Sequence, residues 1–166
     1  MSRHQLAVAG SLVVALACVA CGKAPPKPPD AAMTIAADTE AKIKAPMTIS
    51  ASADANPDVN GRPSPVVVRI YQLRAEAAFN AAGFFALFDD DQKILGPELI
   101  SRDEFMLAPT DKRTIDVVVS GQTRFVGAIA AFRDIRNSQW RMLVPAPRKG
   151  LTVAVEGTRL TLSAVN

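Results

Sequence analysis

The sequence predicts an all-β fold, a two-sheet sandwich with a short helical insertion after its second strand. Three observations carry that expectation. Beyond residue 46, apolar and polar residues alternate in short runs, the period of half-buried strands. Turn-forming Gly, Pro, Asn and Asp interrupt those runs at near-regular spacing. Only residues 74–91 change to a helical period. A length of 166 residues fits one domain, and 49% hydrophobic with 21% charged residues is the balance of a globular chain.

The first twenty residues stand apart. Arg3 and His4 precede an apolar run, 6–20. At ~1.5 Å per helical residue this run reaches roughly 22 Å, short of the ~30 Å hydrocarbon core of a bilayer. A basic start, a short apolar middle and small residues at its end predict a signal peptide over residues 1–20. The run closes on Cys18-Val19-Ala20-Cys21-Gly22, which resembles a bacterial lipobox. Cys21 is the favoured acylation site, with Ala20 before it and polar, proline-rich chain after it; Cys18 is the competing thiol. Three acyl chains on one residue bind a membrane almost permanently, because each buried CH₂ contributes ~0.8 kcal/mol.

Residues 21–45 are expected to be the lipidated N-terminus and a linker, with 31–45, rich in Ala and Lys and without a clear period, read as linker or a frayed first strand. Pro25, Pro26, Pro28 and Pro29 favour extended polyproline geometry. The folded domain is predicted to occupy residues 46–166. Met47, Ile49, Ala51 and Ala53 alternate with Thr48, Ser50 and Ser52 in a first strand. A long loop follows over residues 54–65, rich in Pro, Asn and Asp. Residues 66–73 are apolar on both faces apart from Arg69 and Gln72, as in a central strand. Residues 74–91 hold helix-forming alanines and four of the seven phenylalanines (Phe79, Phe84, Phe85, Phe88), with Gly83 dividing two short helices. Such a stretch is expected to plug the open end of the sandwich. Strands are then predicted near 105–107, 114–119, 125–133, 140–144, 151–155 and 160–162, the last two joined by a hairpin at Glu156-Gly157-Thr158.

Composition removes most catalytic chemistry. The only histidine is His4, and both cysteines precede residue 22. Once the signal peptide is removed, no Cys/His zinc site, Ser-His-Asp triad or disulfide framework is available. No phosphate-cradling or nucleophile-elbow glycine motif is present. Asp89-Asp90-Asp91 lacks calcium-loop spacing, since Lys93 takes the next alternate position and Gly96 comes too late. Asp103 and Glu104 adjoin on a strand and so point to opposite faces. The expectation is no enzyme, no metal and no cofactor beyond the covalent lipid on Cys21. A net charge of +3 is too small for a nucleic-acid binder. The charge is uneven, however: residues 85–105 are acidic and residues 131–166 basic.

Longer phrases support a resemblance. Ser50-Ala-Ser-Ala-Asp-Ala-Asn-Pro-Asp and Gly61-Arg-Pro-Ser-Pro-Val-Val-Val-Arg-Ile-Tyr-Gln-Leu are followed in order by Phe84-Phe-Ala-Leu-Phe, Leu95-Gly, Leu107-Ala-Pro, Gly127-Ala-Ile-Ala-Ala-Phe-Arg-Asp and Trp140-Arg. Together they resemble the outer-membrane lipoprotein family of type VI secretion systems (TssJ, VasD/Lip). That resemblance implies a transthyretin-like two-sheet sandwich. It also implies a lipid anchor in the inner leaflet of the outer membrane, with the domain facing the periplasm. The implied partner is the periplasmic C-terminal domain of the inner-membrane subunit TssM, in complex with TssL. The implied contact is the loop between the first two strands, here Asn56, Pro57, Asp58, Asn60, Gly61, Arg62 and Pro63. Arg133, Trp140 and Arg141 are read as packing residues first and contact residues second. The competing expectations are a transthyretin-like periplasmic ligand carrier or hydrolase, and a pilotin-like lipoprotein that escorts an outer-membrane partner.

Overall fold

The structure is a computed structural model that describes residues 41–166; the signal peptide, both cysteines and the proline-rich segment lie outside the described residues. Eight strands are present: β1 (Lys42–Ala51), β2 (Val66–Leu73), β3 (Leu99–Leu107), β4 (Lys112–Ser120), β5 (Phe125–Ala130), β6 (Arg141–Pro145), β7 (Gly150–Glu156) and β8 (Arg159–Val165). They form two four-stranded sheets, ordered β4-β1-β7-β8 and β3-β2-β5-β6. The β1–β7 pair is parallel and the other strand pairs are antiparallel. The expected all-β sandwich is therefore the architecture found.

Alternation sets the inner faces. Met47, Ile49 and Ala51 on β1 face Val66, Val68 and Ile70 on β2. Val126, Ala128 and Ala130 of β5 and Leu151, Val153 and Val155 of β7 complete the layer between the sheets. β1 begins at Lys42, inside the segment read from sequence as linker or a frayed first strand, and the second of these holds from Lys42 on. Lys42, Ile43 and Lys44 are all exposed, so no in–out alternation marks the start of this strand. Pro46 is accommodated because β1 pairs there with β4 alone; pairing with β7 begins at Met47.

The helical insertion lies between β2 and β3, as expected, but it has three short helices rather than two. They are α1 (Ala77–Ala81), α2 (Phe84–Asp89) and α3 (Asp91–Leu95), followed by a 3₁₀ turn at Gly96–Glu98. Its position corrects the sequence expectation. It does not plug the end of the sandwich; it covers the outer face of β2 and β5. Phe79, Leu87 and Leu95 form a second core there with Tyr71, Leu73 and Ile129. This explains why β2 is apolar on both sides: each face meets a different core.

Specific bonds fasten the cover. The Tyr71 hydroxyl donates to the Leu87 carbonyl over 3.2 Å, and burial pushes its pKa up to about 12. The Arg141 guanidinium donates to the carbonyls of Phe79, Asn80 and Ala82, the orphan acceptors at the end of α1. Trp140 meets Phe84 edge-on at 5.4 Å. Trp140 and Arg141 thus serve packing, as read from sequence. Asp91 is buried at the start of α3 and pairs with Arg102 at 2.7 Å, while Arg69 pairs with Glu104 at 2.6 Å. Asp91, considered for metal binding, therefore clamps the insertion onto β3, whereas Glu104, considered for acid–base chemistry, bridges β3 to β2 and orients Arg69, whose guanidinium donates to the Phe88 carbonyl of the insertion.

Gly127 faces Phe79 directly. A Cβ built on it would lie 2.7 Å from Phe79 Cζ, and Phe79 is fully buried with its ring 5.7 Å from that of Tyr71. Gly127→Val is expected to destabilise the domain by about 1–3 kcal/mol through overpacking. A lowered urea midpoint with loss of Phe79 burial checks this; an unchanged midpoint contradicts it.

Candidate functional site at the loop pole

One end of the sandwich carries three connections: the β1–β2 loop (52–65), the β5–β6 segment (131–140) and the β7–β8 hairpin at Gly157-Thr158. Asn56 joins all three. It is 2% exposed with φ at 50°, a left-handed conformation that asparagine tolerates better than most residues. Its backbone amide donates to the Gly157 carbonyl (2.7 Å). Its side-chain amide donates to Pro65 O (2.7 Å), and its Oδ1 accepts from Arg133 N (2.9 Å). β5 consequently ends at Ala130, short of the predicted Arg133, because the Arg133 amide bonds to Asn56 and not to a strand.

Beyond Asn56, the loop closes on Asp58. Its Oδ1 accepts the amides of Asn60 (2.8 Å) and Arg62 (2.9 Å). Its Oδ2 pairs with the Arg62 guanidinium at 2.7 Å. The Asp58 amide donates to Arg62 O and the Gly61 amide to Asp58 O, with Gly61 at φ 77°. The Arg62 amide, then its guanidinium, hold the Asp58 carboxyl below the usual aspartate range. Asp54 is lowered too, chiefly by the Ser52 hydroxyl. Ser52, Asp54, Asn56 and Asp58 thus use side-chain bonds to fix a loop that has no strand pairing.

This closure presents Val59 at the tip, 102% exposed. Between the loop and its neighbours runs an open groove of about 820 Å³, lined by Pro57, Asp58, Asn60, Arg62, Arg133 and Arg136 among others. Of the residues named from sequence, Pro57, Asp58, Asn60, Gly61, Arg62 and Pro63 reach the surface, whereas Asn56 shapes the loop from inside. Arg133, read from sequence as packing first and contact second, is exposed on the groove wall, which reverses that order; sequence reasoning missed Val59 and the other wall residues Asp134, Arg136, Asn137 and Thr158. A lone valine in a polar loop was a usable signal for the first. Nothing local in the sequence connects residues 133–137 or Thr158 to residue 58.

Between the sheets, the gap bounded by Met47, Ile70, Val119 and Leu151 measures about 10 Å³. That holds one water at most. The loop pole is therefore the most elaborated surface described, and the gap between the sheets at this position is filled by side chains.

The comparisons agree. The chain belongs to the type VI secretion lipoprotein family (T6SS-SciN; VasD, EvfM, TssJ), whose model matches residues 43–163. The chain is similar to the T6SS lipoprotein TssJ1 from Pseudomonas aeruginosa, with 31% identity and a TM-score of 0.71 over 76% of this chain and 98% of that one. It is similar to a chain of a structure described as a type VI membrane complex, with 30% identity and a TM-score of 0.64 over 72% and 97%. A third likeness, 28% identical with a TM-score of 0.61 over 74% and 98%, is to a chain of a structure described as the T6SS protein TssM C-terminal domain from EAEC. No curated protein sequence matches the chain.

Two outcomes are expected. Asn56→Ala leaves Pro65 O and Arg133 N without their partner and should cost about 2–4 kcal/mol; a urea midpoint equal to that of the parent chain would refute this. Asp58 has a depressed pKa, so its contribution is present above the ordinary aspartate value and is lost as pH falls through its lower folded value. Amide protection at Asn60 and Arg62 should hold from neutral pH down to about 4 and collapse below that. Collapse near pH 6 would contradict the assignment.

Proposed function

We propose that this chain is the outer-membrane lipoprotein of a type VI secretion membrane complex. In this reading Cys21 carries the lipid, the inner leaflet of the outer membrane holds the anchor, and residues 21–41 tether the sandwich in the periplasm. The loop pole docks on the periplasmic C-terminal domain of TssM, which itself associates with TssL. The chain performs no reaction and needs no cofactor apart from its lipid; it is a mechanical link between two membranes.

The observation that carries the docking reading is Val59, wholly exposed at the tip of a loop whose backbone Asp58 already holds closed. An apolar anchor beside a charged groove is a common form of interface centre. Pre-closure removes most of the ordering cost that a floppy loop would bear on binding. Family membership and the likeness to chains from the membrane complex and the TssM C-terminal domain structures support the choice of partner. The carrier alternative would require a ligand-sized space between the sheets, where about 10 Å³ is found.

Val59→Asp should weaken calorimetric binding to the periplasmic domain of TssM by at least about tenfold without changing the fold, as expected of an interface anchor. Unchanged affinity would take the loop tip out of the interface. Cys21→Ser should leave a folded, soluble periplasmic domain and abolish secretion. If that variant still fractionates with the outer membrane and carries lipid, the anchor assignment is wrong.

A further inference from the structure

The pole opposite the loop has a character of its own. Here β1 begins and β4 ends: Lys42 pairs with Ser120, and the Gly121 amide donates to Ala41 O over 2.5 Å. The described chain therefore starts at this end. The ten residues of β1 then run to the loop pole, roughly 30 Å away at ~3.3 Å per residue.

Basic residues from separate strand ends and turns converge on this starting end. Lys42 and Lys44 come from β1, Arg74 follows β2, Arg124 precedes β5, and Arg148 with Lys149 precede β7. All six are exposed. Backbone bonds place their segments together. The Arg124 amide donates to Leu73 O (2.9 Å), the Ala146 amide to Arg124 O (2.8 Å), and the Lys149 amide to Val165 O (2.9 Å). The opposing charges are fewer. The Glu98 carboxylate accepts the Ala78 amide at the start of α1, Glu76 lies beside Asn80, and the C-terminal residue Asn166 accepts from Lys149 Nζ through its carbonyl oxygen. Three of the seven large apolar side chains that are exposed among the described residues also lie at or near this end: Ile43, Val118 and Val165.

We propose that this pole is a membrane-facing surface that binds anionic phospholipid headgroups. The proposal rests on the reading of Cys21 as the lipid anchor, because it is the anchor that brings this end to the bilayer. Nineteen residues separate Cys21 from Ala41. A covalent tether of that length keeps the local lipid concentration high and lets a weak attraction act. The attraction works only near contact, within a Debye length of ~8 Å at physiological salt. Six cations, with Ile43 and Val165 at the headgroup boundary, fit a phosphate-bearing surface better than a zwitterionic one. With this pole on the membrane, β1 points the docking loop away from it, toward a partner in the periplasm. The anchor alone fixes distance; the basic pole adds direction.

The probe is the mature chain from residue 21 carrying Cys21→Ser, which has no lipid of its own. It should co-sediment with phosphatidylethanolamine vesicles containing phosphatidylglycerol, not with pure phosphatidylcholine vesicles, and high salt should release it. Each surface cation raises such binding roughly fivefold, so Arg124→Glu/Arg148→Glu/Lys149→Glu should weaken it by at least about 100-fold. The charge-matched triple Lys112→Glu/Arg113→Glu/Arg159→Glu, toward the loop pole, should weaken it far less. Equal binding to both vesicle types, or equal losses in the two triples, overturns the proposal. A negative result here leaves the Cys21 assignment untouched. Unmodified Cys21 in membrane-derived protein, seen by mass spectrometry, refutes that assignment whatever the vesicles show.

Discussion

The Asn56 carboxamide sits where three connections of the sandwich meet, and its two ends serve different segments. The amide end holds Pro65 and so closes the neck of the β1–β2 loop. The oxygen end takes the Arg133 amide just as the chain leaves β5. At 2% exposure neither bond competes with bulk water, and the loss of either leaves a buried group unsatisfied. A side chain with a donor end and an acceptor end, at a φ that few residues tolerate, explains why an asparagine occupies this point. The loop, the groove wall and the hairpin form one surface because of it.

The rigidity of that surface comes from both cores. Phe132, next to Arg133, is buried in the inter-sheet layer, whereas Trp140 at the far end of the same segment packs on Phe84 of the helical cover. The Trp140 carbonyl also accepts the Ala130 amide. The β5–β6 segment is therefore pinned at one end by the sandwich and near the other by the insertion. The helices take no part in the loop pole directly; they brace the strand and the tryptophan that hold it. The wall of the groove is thereby held from both layers of the domain.

How much of this could be read beforehand follows from where the information lies. β7 and β8 are plain in the sequence, because Leu151, Val153 and Val155 and then Leu160 and Leu162 face one core on one side only. β2 reads as central because both of its faces are covered, but apolar residues say that a face is covered without saying by what; hence the misplaced helices. The first half of β3 was missed because Arg102, Asp103 and Glu104 are exposed, and the start of β1 stayed open between linker and strand because its lysines are exposed on both sides. In the loop, proline and asparagine signalled a stiff polar turn. That Asp58 lines one groove with Arg133 and Arg136 is a product of tertiary folding, with more than seventy residues between them, and leaves no local mark.

The central claim is that one pole, organised by Asn56 and closed by Asp58, meets the partner while the rest of the sandwich supports it. Hydrogen exchange of the chain alone and in complex with the periplasmic domain of TssM tests it most directly. The account predicts new protection concentrated at residues 57–63, 133–137 and around Thr158, with β3, β4 and the helical cover unchanged. Protection that falls instead on those edge strands or helices, leaving the loop pole exchanging as in the free chain, would contradict it.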